Sequence, residues 1–277
     1  MNKIPKELHL YWNGSGMSKL QTFTVTSFHK YNPDWKINVY VPMQAYTGGS
    51  KYIPKYKGED HFNEVKVLDY VNIVSVNLDD YGIAYDLHDI LRSDILRYHI
   101  LYNIGGVWSD FDVIWLKPME HFRNIEYIGD TPVDEITSVV SFIKDTAGSH
   151  SIGIMIHCQY DEYAKALVDL TKQVRPPYRH EVFGSVMISG RYPTLASMSG
   201  FKGLVGVKHE TYYPYDIHPP RPTFHRLYTG NDLSLITNNT ICLHWYNGKP
   251  ESKIYVNRHD IRRDCSMTTV LRQGGYI

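Results

Sequence analysis

Short apolar segments alternate with amphipathic segments over residues 1–120 of the chain. Three stretches have the alternating or continuous apolar character that is typical of β-strands; they are Leu8–Trp12, Lys36–Val41 and Val71–Val76. Two others repeat apolar side chains every three or four positions, which is the period of an α-helix; they are Thr22–Tyr31 and Asp86–Asn103. This alternation predicts an α/β domain with a mostly parallel sheet.

A glycine pair and an acidic triplet follow the second predicted helix. Gly105–Gly106 is typical of a left-handed helix end, and the next apolar segment is interrupted by Asp110–Asp112 before it stops at Pro118. The triplet is therefore predicted at or directly after a strand. Ligands of open α/β sheets bind at the carboxyl ends of the strands. We expect the triplet and the turn Trp12–Gly14 to lie at that edge.

The second half of the chain has a less regular pattern. We predict strands at Ser151–Ile156, Val182–Ile188 and Ile241–Trp245, and a helix at Asp161–Val174. Residues 210–226 are rich in tyrosine, histidine and proline, and the prolines exclude a helix, so this segment is a candidate lid. Residues 44–66 are polar and are predicted to form a loop or an irregular helix. No internal repeat or domain linker is visible.

Composition excludes some classes of partner. The 277 residues include 29 Lys and Arg and 29 Asp and Glu, so the formal net charge is zero. A nucleic-acid-binding protein usually carries a basic excess, which makes nucleic acid a poor candidate partner. Three separated cysteines favour neither a disulfide framework nor a cysteine metal site. With no signal-peptide pattern and no apolar run of about 20 residues, we expect no transmembrane segment and a cytoplasmic location.

The Asp110–Asp112 triplet is the first candidate for chemistry. Alternate residues of an extended strand point to the same side, so both carboxylates are predicted to converge. A hard divalent cation such as Mg²⁺ or Mn²⁺ binds carboxylates together with substrate phosphates. The alternative is a solvated turn, which is the commoner explanation of an isolated pair of this kind.

The predicted helix before the triplet carries a second candidate group. Asp94 and Arg97 are three residues apart and therefore share one helical face. They could form a surface ion pair of little energetic value. Because the helix is otherwise apolar, we favour a functional role in which both side chains hold the hydroxyls of one sugar.

These motifs resemble those of a known family. The segment SDILRYHILYNIGGVWSDFDV is similar to the signature of the DXD-containing sugar transferases, which include yeast-type initiating mannosyltransferases and the glucosylating domain of large clostridial toxins. The start, IPKELHLYWNG, is similar to the family's opening motif. The resemblance implies one GT-A domain over residues 1–277, with a Rossmann-like nucleotide-binding sheet. Residues 1–120 would be the donor half and 121–277 the acceptor and lid half.

The resemblance also implies roles for individual residues. Trp12 would stack on the nucleotide base, Asp94 and Arg97 would hold the donor sugar beside Ser93, and Trp108 would lie beside the donor. Asp110 would contact the ribose and the water shell of the metal, whereas Asp112 would bind the metal directly. The remaining residues expected at the nucleotide-sugar site are Leu10, Tyr11, Asn13, Ser109, Phe111, Asn247, Gly248 and Lys249.

His244 on the late strand is expected to complete the metal site, which favours Mn²⁺ over Mg²⁺ because imidazole is a softer ligand than oxygen. A buried histidine with a purely structural role is the alternative. Lys249, Arg221 and Arg226 could neutralise a leaving diphosphate, or they could be solvated surface charges.

The predicted function is therefore metal-dependent, retaining transfer of a sugar from a UDP- or GDP-sugar to a hydroxyl of a carbohydrate, lipid-linked or protein acceptor. The implied source is bacterial or viral. One alternative is a sugar-1-phosphate nucleotidyltransferase, which normally needs a basic glycine-rich loop that Asn13–Lys19 matches weakly. Another is a non-catalytic module that binds nucleotide-sugars.

Overall fold

A computed structural model describes residues 3–43, 56–84, 86–144, 147–179, 181–218, 222–257 and 263–277. The strands are β1 (Glu7–Tyr11), β2 (Lys36–Pro42), β3 (Val71–Val76), β4 (Gly106–Ser109), β5 (Val113–Trp115), β6 (Tyr127–Ile128), β7 (Ser138–Lys144), β8 (Ala147–His157), β9 (Leu204–Val207) and β10 (Cys242–His244). The α-helices are α1 (Lys19–Tyr31), α2 (Phe62–Lys66), α3 (Asp89–Asn103), α4 (Glu162–Thr171), α5 (Ser185–Arg191), α6 (Arg226–Thr229), α7 (Pro250–Asn257) and α8 (Ser266–Gln273). Short 3₁₀ helices occur at Leu78–Tyr81, Met119–Asn124, Val133–Glu135, Leu195–Met198 and His209–Thr211.

Eight of the strands form one sheet in the order β3-β2-β1-β4-β8-β7-β9-β6. The first four are parallel. Strand β8 runs antiparallel to both β4 and β7, β9 is parallel to β7, and β6 is antiparallel to β9. The α/β class that the sequence predicts is confirmed, with its parallel strands concentrated in the first half. A separate antiparallel pair joins β5 to β10.

Helices cover both faces of the sheet. On one face Leu8 and Val107 pack with Phe28 of α1. On the other face Trp108 packs with Leu91 of α3 and Leu167 of α4. Neighbouring strand residues thus point to opposite cores, as the pleat requires.

Polar side chains of α1 form hydrogen bonds to the backbone of the acidic triplet and of β5. The helix begins at a capping box in which Ser18 and Gln21 bond each other's backbone, which satisfies donors that would otherwise lack partners. Farther along, the Thr24 hydroxyl donates to the Phe111 carbonyl at 2.8 Å, and Ser27 Oγ accepts from Trp115 N at 3.0 Å. Helix α1 therefore fixes the loop between β4 and β5.

The turn between α3 and β4 requires its two glycines. Gly105 and Gly106 have φ values of 77° and 97°, where only glycine avoids a steric penalty. A Cβ on Gly105 would lie 2.5 Å from Gln159 N, and one on Gly106 would lie 2.4 Å from Glu7 O. The predicted left-handed helix end is confirmed, and it delivers the chain directly into β4.

One predicted strand is wrong, since Val182–Ile188 is a loop followed by helix α5, in which Ile188 N donates to Gly184 O at 3.2 Å. Over seven residues, an apolar pattern does not separate strand from helix. The other predicted strands and helices are present with ends displaced by a few residues.

The predicted loop 44–66 is described only in part. Residues 44–55 lie outside the described ranges, and Phe62–Lys66 forms helix α2. Arg221 also lies outside the described ranges. Within the described ranges, no helix is long and apolar enough to span a membrane.

Candidate active site

A pocket of about 670 Å³ opens at the carboxyl ends of β1 and β4. Its walls come from the turn after β1, the first half of α3, the acidic triplet, β8, and residues around His209 and His244. A volume of this size is ordinary for a small-molecule site. The pocket therefore lies at the edge of the sheet that the sequence predicts.

Two long-range contacts position the acidic triplet. Asp110 N donates to the Gly153 carbonyl at 2.8 Å, and Trp245 N donates to the Asp112 carbonyl at 2.8 Å. The triplet itself is a bend between β4 and β5 and not a regular strand. Both aspartates nevertheless line the pocket, as the alternation argument predicts.

Strand pairing brings His244 to this triplet. In the antiparallel pair of β5 and β10, His244 lies opposite Val113. Its Nε2 is 3.1 Å from Asp112 Oδ1, while Asp112 Oδ2 accepts from Asn247 N at 2.8 Å. A residue distant in sequence thus completes a three-residue group.

Asp110, Asp112 and His244 offer ligand atoms that all lie within 4.8 Å of one another. Two carboxylates and one imidazole suit Mn²⁺, so the side chains fit the metal that the resemblance implies. Burial disfavours both charges, yet the Asp112 carboxylate raises the pKa of His244, and the imidazolium lowers the pKa of Asp112. A divalent cation bound between these side chains would displace the proton of His244.

Arg97 links α3 to the triplet. Its Nη2 donates to Asp110 Oδ1 at 3.2 Å and lies 3.1 Å from Asp94 Oδ1, and its Nη1 donates to the Ile152 carbonyl. The guanidinium also lies over the ring of Trp108, whose Nε1 donates to Asp110 Oδ1 at 3.3 Å. One buried cation therefore orients two carboxylates of the pocket.

Burial controls the protonation of those two carboxylates. It raises the pKa of Asp94 to about 7, against the opposing effect of Arg97 and with repulsion from Asp110 and Glu181 added. Burial likewise raises the pKa of Asp110, where Arg97 opposes it and Asp112 adds to it. Strongly shifted pKa values inside a pocket are typical of functional sites.

Thirteen of the sixteen predicted site residues line the pocket. They are Tyr11, Trp12, Asn13, Ser93, Asp94, Arg97, Asp110, Phe111, Asp112, His244, Asn247, Gly248 and Lys249. The other three, Leu10, Trp108 and Ser109, are fully buried strand residues that do not line the pocket. This placement argues against direct ligand contact for these three, because their side chains point into the cores or back onto the triplet.

The aromatic residue expected to meet the base is held in a fixed orientation. Trp12 Nε1 donates to the Ser15 carbonyl at 2.9 Å, and its ring packs edge-on against Phe111 with 5.2 Å between ring centres. Trp12 lines the pocket although only 9% of the residue is exposed. The indole is therefore preorganised beside the triplet.

Sequence reasoning missed three contributors to the site. Asp89 accepts from the Tyr11 hydroxyl at 3.3 Å and from Asn13 Nδ2 at 3.0 Å, which joins α3 to the turn after β1. Its i, i+4 spacing to Ser93 could have revealed it. Gly153 and Tyr213 on distant segments offered no comparable signal.

Comparison with known proteins bears on this arrangement. Residues 18–132 match the model of the family described as "Glycosyltransferase sugar-binding region containing DXD motif". This part of the chain is therefore similar to the DXD-containing glycosyltransferases. The matched region includes Asp94, Arg97, Asp110 and Asp112, whereas Trp12 and His244 lie outside it.

The chain is also similar to individual proteins. It is 25% identical over 125 residues to the initiation-specific alpha-1,6-mannosyltransferase of Saccharomyces cerevisiae, a match covering 40% of this chain and 26% of that protein. The chain thus spans about a quarter of that relative's length. Among solved structures, an active-site mutant of LgtC has a TM-score of 0.49 at 13% identity, covering 98% of this chain and 95% of that one. The PaToxG glycosyltransferase has a TM-score of 0.43 at 18% identity, covering 71% and 74%.

Proposed function

We propose that the protein is a metal-dependent glycosyltransferase that moves a sugar from a UDP- or GDP-sugar to an acceptor hydroxyl with retention of the anomeric configuration. The observation that carries the proposal is the convergence of Asp110, Asp112 and His244 in one pocket, next to the Asp94–Arg97 ion pair. The match of residues 18–132 to the model of the DXD-containing glycosyltransferases supports the same reaction.

Different side chains of the pocket would bind the diphosphate and the sugar of the donor. Asp110, Asp112 and His244 would hold Mn²⁺, or Mg²⁺, which as a Lewis acid stabilises negative charge on a departing diphosphate. Lys249 lines the same pocket and would add a further positive charge. Asp94 and Arg97 line the pocket beside Asp110, where a carboxylate and a guanidinium can bind sugar hydroxyls. Fixed charges in a partly buried site contribute most to such catalysis.

The donor half would also position the nucleotide. Trp12 presents an apolar ring between the turn after β1 and the triplet, which suits stacking on a base. Tyr11 and Asn13 are held by Asp89, so the edge of the sheet is rigid before a ligand arrives. A carbohydrate, lipid-linked or protein acceptor would enter from the side formed by residues 181–185 and 209–218, which line the opposite wall.

Nucleotide release from a panel of UDP- and GDP-sugars tests the proposal. With Mn²⁺ and no acceptor, we expect slow hydrolysis of one donor, abolished by a chelator and reduced at least about 100-fold in Asp112→Asn. The matched control is Asp134→Asn, because Asp134 is exposed and lies outside the pocket.

The two alternatives give different outcomes. A nucleotidyltransferase would release pyrophosphate from a sugar phosphate and a nucleoside triphosphate. A non-catalytic module would bind the donor tightly without turnover in the presence of any acceptor. Absence of both hydrolysis and Mn²⁺-dependent nucleotide binding would overturn the proposal.

A further inference from the structure

A second group of metal-ligating side chains lies on another wall of the pocket. His209, Asp216 and His218 each offer one ligand atom, and these atoms lie within 4.8 Å of one another. His209 begins the 3₁₀ helix after β9, and the other two follow on the same segment. The group shares no residue with Asp110, Asp112 and His244.

The distances within the group suit a small coordination shell. His209 Nε2 is 3.6 Å from Asp216 Oδ1, and His218 Nδ1 is 2.6 Å from the same oxygen. In a tetrahedral zinc site with bonds of 2.0–2.1 Å, ligand atoms are about 3.3 Å apart. The two observed separations bracket that value, so small side-chain shifts would close a shell around one ion.

The ring nitrogens of His209 are buried without hydrogen-bond partners among the described residues. The side chain is only 8% exposed. A buried polar atom without a partner is costly and calls for an explanation. The ring stacks on Tyr213 with 4.6 Å between ring centres and an angle of 11°, so its orientation is fixed. A coordinated cation would satisfy Nε2.

The carboxylate of the group is also held in place. Asp216 N donates to Thr223 Oγ1 at 2.9 Å, and the Asp216 carbonyl accepts from Thr223 N at 2.8 Å. Asp216 Oδ1 accepts from His218 N at 3.0 Å. These contacts hold the Asp216 carboxylate beside the two histidines.

We propose that His209, Asp216 and His218 form a second metal site, which binds a borderline divalent cation of the Zn²⁺ type. Two imidazoles select Zn²⁺ over Mg²⁺ or Ca²⁺, which prefer oxygen ligands. Three protein ligands leave a fourth position for water or a ligand oxygen, and both histidines line the pocket. The bound ion would fix the segment that carries Tyr213, whose ring lies 5.0 Å from that of His244.

Zinc binding tests this site independently of the proposed function. All measurements use a protein that carries Asp112→Asn and His244→Ala, which removes two of the three side chains in the group Asp110, Asp112 and His244. This protein is the background for the further substitutions. Calorimetry with Zn²⁺ should show one tight site, and Co²⁺ should give the visible absorption of a tetrahedral ion with imidazole ligands. Adding His209→Gln or His218→Gln should weaken Zn²⁺ binding by more than about 10-fold and remove the Co²⁺ band.

His225→Gln is the matched control, because His225 is an exposed histidine of the same part of the chain and lies outside the group. Its Zn²⁺ affinity should equal that of the background. About one third of the His218 side chain is exposed, so His218→Gln should fold normally, and its melting temperature without metal verifies this. Unchanged Zn²⁺ affinity and stoichiometry in both His209→Gln and His218→Gln would overturn the proposal.

Discussion

His244 Nε2 lies 3.1 Å from Asp112 Oδ1, and the contact exists because β10 pairs with β5. The same pairing lets Trp245 N hold the Asp112 carbonyl. A late strand thus adds an imidazole to an acidic pair that belongs to the first half of the chain. Metal affinity should therefore depend on both halves.

Replacing His244 separates metal affinity from fold stability. We expect His244→Ala to raise the Mn²⁺ concentration for half-maximal donor hydrolysis by about 10- to 100-fold, because one of three protein ligands is lost. Saturating Mn²⁺ should restore part of the rate, whereas Asp112→Asn should not recover. A titration of activity against Mn²⁺ measures this. Equal Mn²⁺ dependence in His244→Ala and the unmodified protein would show that the imidazole is structural.

Arg97 is the second position where we expect a large effect, here on both the free energy of unfolding and donor turnover. Arg97→Ala leaves the buried Asp94 carboxylate without its cation, and removing one partner of a buried pair costs about 3–5 kcal/mol. Chemical denaturation should show a loss of this size. Arg97→Lys keeps the charge but lacks the planar fork that reaches both carboxylates and the Ile152 carbonyl, so it should lose donor turnover with a smaller loss of stability.

The control for Arg97 is Arg272→Ala, whose side chain is about half exposed and pairs with an exposed aspartate. Its free energy of unfolding should change by less than about 1 kcal/mol. If Arg97→Ala were no more destabilising than Arg272→Ala, the buried network would have no energetic role.

Local patterns in the sequence predicted the helices and strands of residues 1–120 well. The helical period of α3, the glycine pair and the acidic triplet are local signals, and each has a physical cause that the structure shows, such as the left-handed turn at Gly105. Asp94 and Arg97 share a helical face, and the structure places both in the pocket. Short-range periodicity is sufficient where one element supplies several site residues.

The second half depends on contacts that local patterns do not encode. Helix α5 has too few residues for its period to be distinguished from that of a strand. Gly153 on β8 meets Tyr213 only in the folded chain. The group around Asp216 forms within residues 209–218, an irregular segment without a periodic pattern. Trp108 was expected at the donor because of its neighbours in sequence, but its position in β4 points it into the core. The fold topology therefore determines whether these side chains face the pocket or the core.

Gly153 offers a test of packing around His244, one of the three side chains proposed to bind the metal. A Cβ at this position would lie 2.8 Å from the Tyr213 hydroxyl and 3.2 Å from His244 Nε2. We expect Gly153→Ala to displace these side chains and to weaken Mn²⁺ binding about 10-fold. Adding Tyr213→Phe removes the closest clashing atom and should restore part of the affinity, as calorimetry would show.

Gly190→Ala is the matched control, because a Cβ there meets no atom within 4 Å. Gly190 lies in α5, so alanine should stabilise the protein by about 0.5–1 kcal/mol and leave Mn²⁺ binding unchanged. Unaltered Mn²⁺ affinity in Gly153→Ala would show that the pocket wall adapts to the methyl group.

The stability of the fold should fall as the pH drops below 6.5, in part because of His9. This ring is buried in β1, where Nε2 donates to the Gly105 carbonyl at 2.8 Å and Nδ1 accepts from the Tyr40 hydroxyl at 3.1 Å. Burial lowers the pKa of His9 from 6.5 to about 4, against the opposing effects of Gly105 and Glu7. Between these values the unfolded chain binds the proton that the folded protein excludes.

The His9 contribution is therefore complete above pH 6.5 and is lost as the pH falls toward 4, by up to about 3 kcal/mol. Urea denaturation of the unmodified protein and of His9→Gln at pH 7 and pH 4.5 measures the difference. Gln can still donate to the Gly105 carbonyl but does not titrate, so the variant should lose less stability on acidification. Comparing the two proteins isolates His9, because the raised pKa of Asp94 acts on both alike and with the opposite sign. Equal losses in the two proteins would show that His9 is not responsible.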